Sequence, residues 1–306
     1  MKNIQADIKS GNFKQVYLLY GEEAYLKQQY KQNLVKALNP DGDTMNFNHY
    51  EGKGIDVKQL IDLCETMPFF AERRVVLLED TGFFKNKCEE LADYMKELPD
   101  YLYLVFAETE VDKRNRMYKA VKACGSIAEF IRQDEKTLMR WAAGILGKAG
   151  KKITQRDMEL LLTKTGTDMG NLRMEMEKLI SYTEGRDVVT AEDIEEICTT
   201  QTTNRIFDMV RAVTEKNQKR ALELYYDLLT LKEPPMRILF LLAKQYRQLL
   251  LAKQFAAAGL AQTEIGSKLG VPGFVVKNIT TCARAYTISE LEQAVKDFVD
   301  AEESRS

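Results

Sequence analysis

Val16-Tyr-Leu-Leu-Tyr20-Gly21-Glu22-Glu23-Ala24-Tyr25-Leu26 is the stretch that decides the fold. Five apolar residues in succession read as a strand buried on both faces, and Gly21 ends it. Leu26, Tyr30, Leu34 and Leu38 then recur at helical spacing. Strand, turn and amphipathic helix in that order open an α/β layer of the kind that binds nucleotides. In such a layer the turn carries G-x-x-x-x-G-K-[ST], with glycines for converging N–H groups and a lysine for the phosphates. Here the turn has one glycine, no lysine before Lys27, and Glu22 and Glu23 where a triphosphate would lie. Gly147-Lys-Ala-Gly-Lys-Lys152 is no substitute, because it follows a helical pattern and no Ser or Thr follows its lysines. The expectation is an α/β layer that neither binds nor hydrolyses ATP.

Outward from that strand the alternation continues. Residues 45–50 alternate as a strand, and residues 57–65 read as a short helix. Residues 74–78 and 101–106 are further apolar runs, with a short one at 127–130. Helical patterns at 88–98 and 114–124 lie between them. Strands alternating with helices predict a parallel sheet covered by helices. After about residue 134 the strands stop. Leu138, Trp141, Ala142 and Ile145 share a helical face, and Thr154-x-x-Asp157 and Thr190-x-x-Asp193 read as helix starts. From Ile206 the helical stripes lengthen, notably Leu239, Leu242, Tyr246 and Leu249, with Pro234-Pro235 in a first turn. The fold class is therefore α/β plus all-α, in three parts: an α/β domain over 1–134, a small helical domain over 135–205 and a larger helical domain over 206–306.

Composition narrows the function. Of 306 residues, 45% are hydrophobic and 29% charged, enough apolar surface for real cores. No apolar run is long enough to span a membrane, and the start lacks a signal peptide's apolar stretch, so a cytoplasmic protein is expected. Five scattered cysteines and the single histidine, His49, cannot form a zinc site of usual spacing. His49 reads as one face of a strand rather than a catalytic base, and no catalytic residue, metal or cofactor is expected. A net charge of −2, spread evenly, lacks the excess of an autonomous nucleic-acid binder.

Three motifs stand out. Thr66-Met67-Pro68-Phe69-Phe70-Ala71 sets two aromatics side by side after a helix-breaking proline. Neighbouring side chains of an extended segment point oppositely, so one core does not readily take both. On composition alone, burial remains the commoner fate of such residues. Lys113, Arg114 and Arg116 put three positive charges in five residues after a strand end, suited to phosphate or a partner, or to a solvated loop. Residues 262–277 read like a helix-turn-helix with Gly270 in the turn, but the second helix opens Pro272-Gly-Phe-Val-Val, a face for packing rather than for reading bases.

The order of these pieces resembles the delta subunit of bacterial DNA polymerase III, over nearly the whole chain. The likeness rests on Val16-Tyr-Leu-Leu-Tyr-Gly-Glu-Glu23, Met67-Pro-Phe-Phe-Ala-Glu-Arg-Arg-Val-Val-Leu77, Asp112-Lys-Arg114, Glu175-Met-Glu-Lys-Leu179, Tyr246-Arg-Gln-Leu-Leu250 and Leu269-Gly-Val-Pro272. It implies an AAA+-like module without a phosphate loop, a small helical lid and a C-terminal helical collar that joins subunits in a five-membered ring. It also implies a non-ATPase part of a polymerase holoenzyme that binds and opens the sliding clamp. The family's clamp-binding apolar pair matches Phe69 and Phe70, with Met67 and Pro68 beside them, which shifts the expectation for these rings to exposure. Implied partners are the sliding clamp (beta subunit), the ATPase loader subunits, the delta-prime subunit, and primed DNA through the assembled complex. The family continues past Asp300 with a lysine and a further helix, whereas this chain ends Glu-Glu-Ser-Arg-Ser306, which leaves open a truncation of the last collar helix. The rival readings are an active AAA+ ATPase and a helix-turn-helix regulator.

Overall fold

The computed structural model describes residues 2–199, 202–271 and 273–303. Its first unit, Met1–Gln133, runs α1 (Lys2–Ser10), β1 (Val16–Tyr20), α2 (Ala24–Leu38), β2 (Phe47–Glu51), α3 (Val57–Glu65), β3 (Arg74–Glu79), α4 (Glu89–Tyr94), β4 (Leu102–Glu108), α5 (Arg116–Cys124) and β5 (Ser126–Glu129). The five strands form one parallel sheet in the order β2-β3-β4-β1-β5.

Period-2 alternation sorts the strand residues onto two cores. Val16, Leu18, Val76, Leu78, Leu104 and Phe106 pack with Leu60 and Cys64 of α3, Leu91 of α4, and Met117 and Val121 of α5. Tyr17, Leu19, Val75, Leu77 and Val105 face the other way, onto Ile4 of α1 and Leu34 and Leu38 of α2. Each such fully buried aliphatic chain contributes roughly 1.5–3 kcal/mol over its exposed state. β1, β3 and β4 are buried almost throughout, whereas β2, at the sheet edge, alternates between half-buried and exposed. His49 sits on that edge strand, its Nε2 2.9 Å from Glu79 Oε1.

The second unit, Asp134–Ser306, begins with α6 (Glu135–Lys148), β6 (Lys152–Ile153), α7 (Gln155–Thr165), α8 (Met169–Tyr182), β7 (Val188–Val189) and α9 (Ala191–Ile197). Here the expectation that strands stop needs correcting, because β6 and β7 pair in parallel over two residues each. Two residues carry no periodic pattern, so nothing in the sequence marks them. The helix starts are as read: Thr154 accepts from the Asp157 N–H, and Thr190 and Asp193 complete a capping box.

Six helices follow: α10 (Thr202–Thr214), α11 (Gln218–Thr230), α12 (Pro235–Ala257), α13 (Gln262–Leu269), α14 (Gly273–Ala283) and α15 (Ile288–Glu303). Pro235 opens the 23-residue α12 at a position where a missing N–H costs nothing. Tyr246 and Leu249 are buried with Ile265, Val276, Ile279 and Leu291. Leu239 and Leu242 are only half-buried, and the stripe continues instead through the buried Ile238. The helix-turn-helix mimic turns at Gly270, in the left-handed region at φ 65. α14 then lays Val276 so close to α13 that a Cβ on Gly266 would meet its side chain at 3.1 Å. That face packs inward. Pro272, and Ser304-Arg305-Ser306 at the chain end, lie outside the described residues.

Candidate functional site: an exposed aromatic pair on a clipped loop

α3 stops where Pro68 requires it to, with Thr66 as its C-cap in extended conformation. The chain then turns before entering β3, and the motif sits on that turn. Phe70 is 95% exposed, Met67 74% and Phe69 57%. The two rings meet edge to face at a centroid distance of 4.4 Å. Pro68 is half-buried, so of the four residues three present apolar surface to water and one turns partly inward. Large apolar side chains grouped on one short loop mark a contact surface more often than an accident of packing.

Two residues that the sequence did not single out hold this loop. Asn46, 3% exposed, accepts from the Phe69 N–H at 2.7 Å and donates to the Phe69 carbonyl at 2.8 Å. Its Nδ2 also donates to Asp43 Oδ2, and this bond, with the Met45 N–H, holds the Asp43 carboxyl below the ordinary carboxylate range. Buried Arg74 donates from Nε to the Thr66 carbonyl at 2.9 Å and reaches the Met67 carbonyl at 3.3 Å. Phe70, next in the chain, has φ 51, which is rare for an aromatic residue. Residue identity alone did not mark either role: Arg74 opens β3 and Asn46 lies just ahead of β2, and strand pairing brings both to the loop.

The three basic residues do not form one free patch. Lys113 pairs with Glu129 at 2.9 Å, Arg114 with Asp112 at 3.1 Å, and Arg116 with Asp93 at 2.7 Å. Each pair is largely exposed, and each partner carboxyl is held below its usual range by hydrogen bonds, from Lys113 to Glu129, from Arg114 to Asp112 and chiefly from Lys96 to Asp93. Ion pairs this open to water and salt hold their partners only weakly, so exchange of the acid for another anion costs little.

The carboxyl ends of the strands, where open α/β sheets bind ligands, are knitted together by the chain itself. The Glu23 N–H donates to the Phe130 carbonyl at 3.0 Å, and the Phe130 N–H to the Tyr20 carbonyl at 2.7 Å. Gly21 (φ 124) lies so close that a Cβ would stand 2.3 Å from the Phe130 oxygen. Lys27 donates to the Glu108 carbonyl and Lys31 to Glu79 Oε2 at 2.6 Å. The Glu108 carboxylate accepts from the N–H and hydroxyl of Thr81, and burial pushes its pKa up. Burial likewise pushes the Cys64 and Cys198 thiols up to about 12, the opposite of what a nucleophilic cysteine needs. Among the described residues no group of three His, Cys, Asp or Glu side chains is placed to hold a metal, and no helix is long and apolar enough to cross a membrane.

Comparison with known proteins bears on the chain as a whole. A family model for the DNA polymerase III delta subunit matches residues 17–130, and one for the C-terminal domain of that subunit matches residues 203–305. The chain is 26% identical to DNA polymerase III subunit delta of Bacillus subtilis, covering 97% of this chain and 89% of that protein. It is 22% identical to a probable DNA polymerase III subunit delta of Aquifex aeolicus, over 86% of this chain and 77% of the other. Among solved structures, the Bacillus subtilis DNA clamp loader delta protein matches with a TM-score of 0.67 at 24% identity, covering 100% of this chain and 94% of that one. That last likeness concerns the fold.

Proposed function

Since the chain belongs to the DNA polymerase III delta-subunit family, and so to the clamp loader of DNA replication, we propose that it is the non-ATPase subunit that binds and opens the sliding clamp. The observation that carries this reading is the exposed ring pair of Phe69 and Phe70, flanked by Met67 and Pro68. An apolar wedge entering a pocket on the clamp gains by leaving water. Burying two phenylalanine rings supplies roughly 3–6 kcal/mol before ordering costs. The wedge stabilises an open clamp interface if its pocket fits better there than in the closed ring, since a ligand shifts an equilibrium only by its differential affinity. ATP turnover by sister subunits then releases the clamp on primed DNA, which the cytoplasmic assembly grips through its backbone.

In this reading residues 1–134 are the AAA+-like clamp-contacting domain, 135–205 the lid and 206–306 the collar, joining the ATPase subunits and a delta-prime subunit in a five-membered ring. Support for a collar comes from large apolar side chains left in water on consecutive helices: Leu222 and Tyr226 on α11, and Met236 and Phe240 on α12. Lys113, Arg114 and Arg116 serve as contacts to DNA phosphate or a neighbouring subunit, reached by exchanging their acid partners.

The test divides the labour. The full chain is expected to bind the clamp of its own organism and to co-assemble with the ATPase subunits. A chain ending at Gln133, where the first unit closes, is expected to keep clamp binding and lose assembly. Absence of clamp binding by the full chain ends the reading; loss of binding only in a folded 1–133 fragment moves the clamp surface elsewhere.

A further inference from the structure

We propose that Asn46, assisted by Arg74, is the positioning residue that presets the wedge, so that clamp affinity depends on buried polar contacts beneath the rings as well as on the rings themselves. This rests on the wedge reading above and adds to it the device that makes the wedge rigid.

The geometry leaves the Asn46 amide one orientation. Its oxygen faces the Phe69 N–H at 2.7 Å while its nitrogen faces the Phe69 carbonyl at 2.8 Å and Asp43 Oδ2 at 2.5 Å. Both amide protons and one oxygen lone pair are thereby used, and a flipped amide would set donor against donor. Asn46 is itself anchored, because its carbonyl accepts from the Val75 N–H of β3 at 2.9 Å. Phe69 is thus tied through one side chain to the rigid sheet edge. Arg74 fixes the preceding carbonyls of Thr66 and Met67. Only after these clips does the chain enter the left-handed conformation of Phe70. A conformation of that kind persists where its surroundings over-determine it. The clip is shielded from competing water, because Asn46 is almost wholly buried.

The rings are already exposed in the free chain, so the clip is not a latch that hides them. Its effect is on population. If the loop samples other turns, the competent fraction falls and apparent affinity falls with it. Such a penalty appears in association, whereas loss of a contact made in the complex appears in dissociation. The two roles therefore separate kinetically.

The experiment measures kon and koff of the full chain with the sliding clamp. Asn46→Ala is expected to lower kon about tenfold with koff unchanged within about twofold. Asn46→Asp, of nearly equal volume, keeps the acceptor for the Phe69 N–H but sets a carboxylate against the Phe69 carbonyl and Asp43, and is expected to lower kon likewise. In the wild-type chain, which needs no substitution, the Phe69 amide is expected to exchange at least ~10-fold slower than the Phe70 and Ala71 amides on the same exposed loop. Unchanged or raised kon in the folded variants, a loss carried by koff, or rapid exchange at Phe69 overturns the inference. Phe69→Ala with Phe70→Ala serves as the separate control. If that double variant binds normally the wedge reading itself falls, and if it loses binding while the Asn46 variants keep kon, only the positioning role falls.

Discussion

Phe69→Ala combined with Phe70→Ala is expected to weaken clamp binding at least ~100-fold while leaving the melting temperature nearly unchanged, since about 3 kcal/mol of apolar contact corresponds to that factor. Stability should survive because neither ring lines a core, with Phe70 at 95% and Phe69 at 57% exposure. Truncating them opens no cavity. Phe84 and Phe106 provide the internal contrast: both are fully buried and meet edge to face at 5.2 Å. Phe84→Ala is expected to cost about 3–5 kcal/mol of stability, and to affect clamp binding only through the unfolded fraction. Melts and clamp titrations on the two variants should give opposite patterns. A large drop in melting temperature for the loop double variant, with normal affinity in the folded fraction, would show that the rings serve the fold.

The different parts of this molecule were unequally legible in the sequence, for physical reasons. β1, β3 and β4 announce themselves because a parallel strand covered on both faces must be apolar at every position. Capping at Thr154 and Thr190 is local chemistry, and local chemistry can be read locally. The two-residue ladder of β6 and β7 has no period, and its strands are separated in the chain by α7 and α8. Lys31 is buried on α2 beside Leu34, where Glu79 at the end of β3 lies opposite it, a pairing that helical periodicity does not mark. The exposed aromatic pair was legible as an oddity, two adjacent aromatics that one core does not readily take. Its support was not. Asn46 and Phe69 are 23 residues apart and meet only through the β2–β3 pairing, and the φ of Phe70 leaves no trace in residue identity.

Gly21→Ala is expected to destabilise the first unit by roughly 3 kcal/mol or more, lowering its melting temperature by on the order of 10 °C. Two effects add. At φ 124 the backbone lies where L side chains rarely go, and the new Cβ would lie 2.3 Å from the Phe130 oxygen and 2.8 Å from its carbonyl carbon. Those atoms belong to the backbone following β5, tied by the Phe130 N–H to Tyr20, so they cannot swing aside as the tip of a long side chain could. Gly42 calibrates the first effect alone: its φ is 68, and an added Cβ would meet nothing within 4 Å, so Gly42→Ala should cost only about 1 kcal/mol. The same closeness bears on nucleotide. A phosphate loop needs converging N–H groups that are free, and here the Glu23 N–H is spent on the Phe130 carbonyl while Glu22 and Glu23 add negative charge beside it. Calorimetric titration of the intact chain with ATP and magnesium is therefore expected to show no binding in the micromolar range. If Gly21→Ala melts like the wild type, the strand-end backbone yields easily and the turn is not sealed. Should ATP then bind the wild-type chain at micromolar concentration, the proposed division between a clamp-opening subunit and ATPase partners would have to be redrawn.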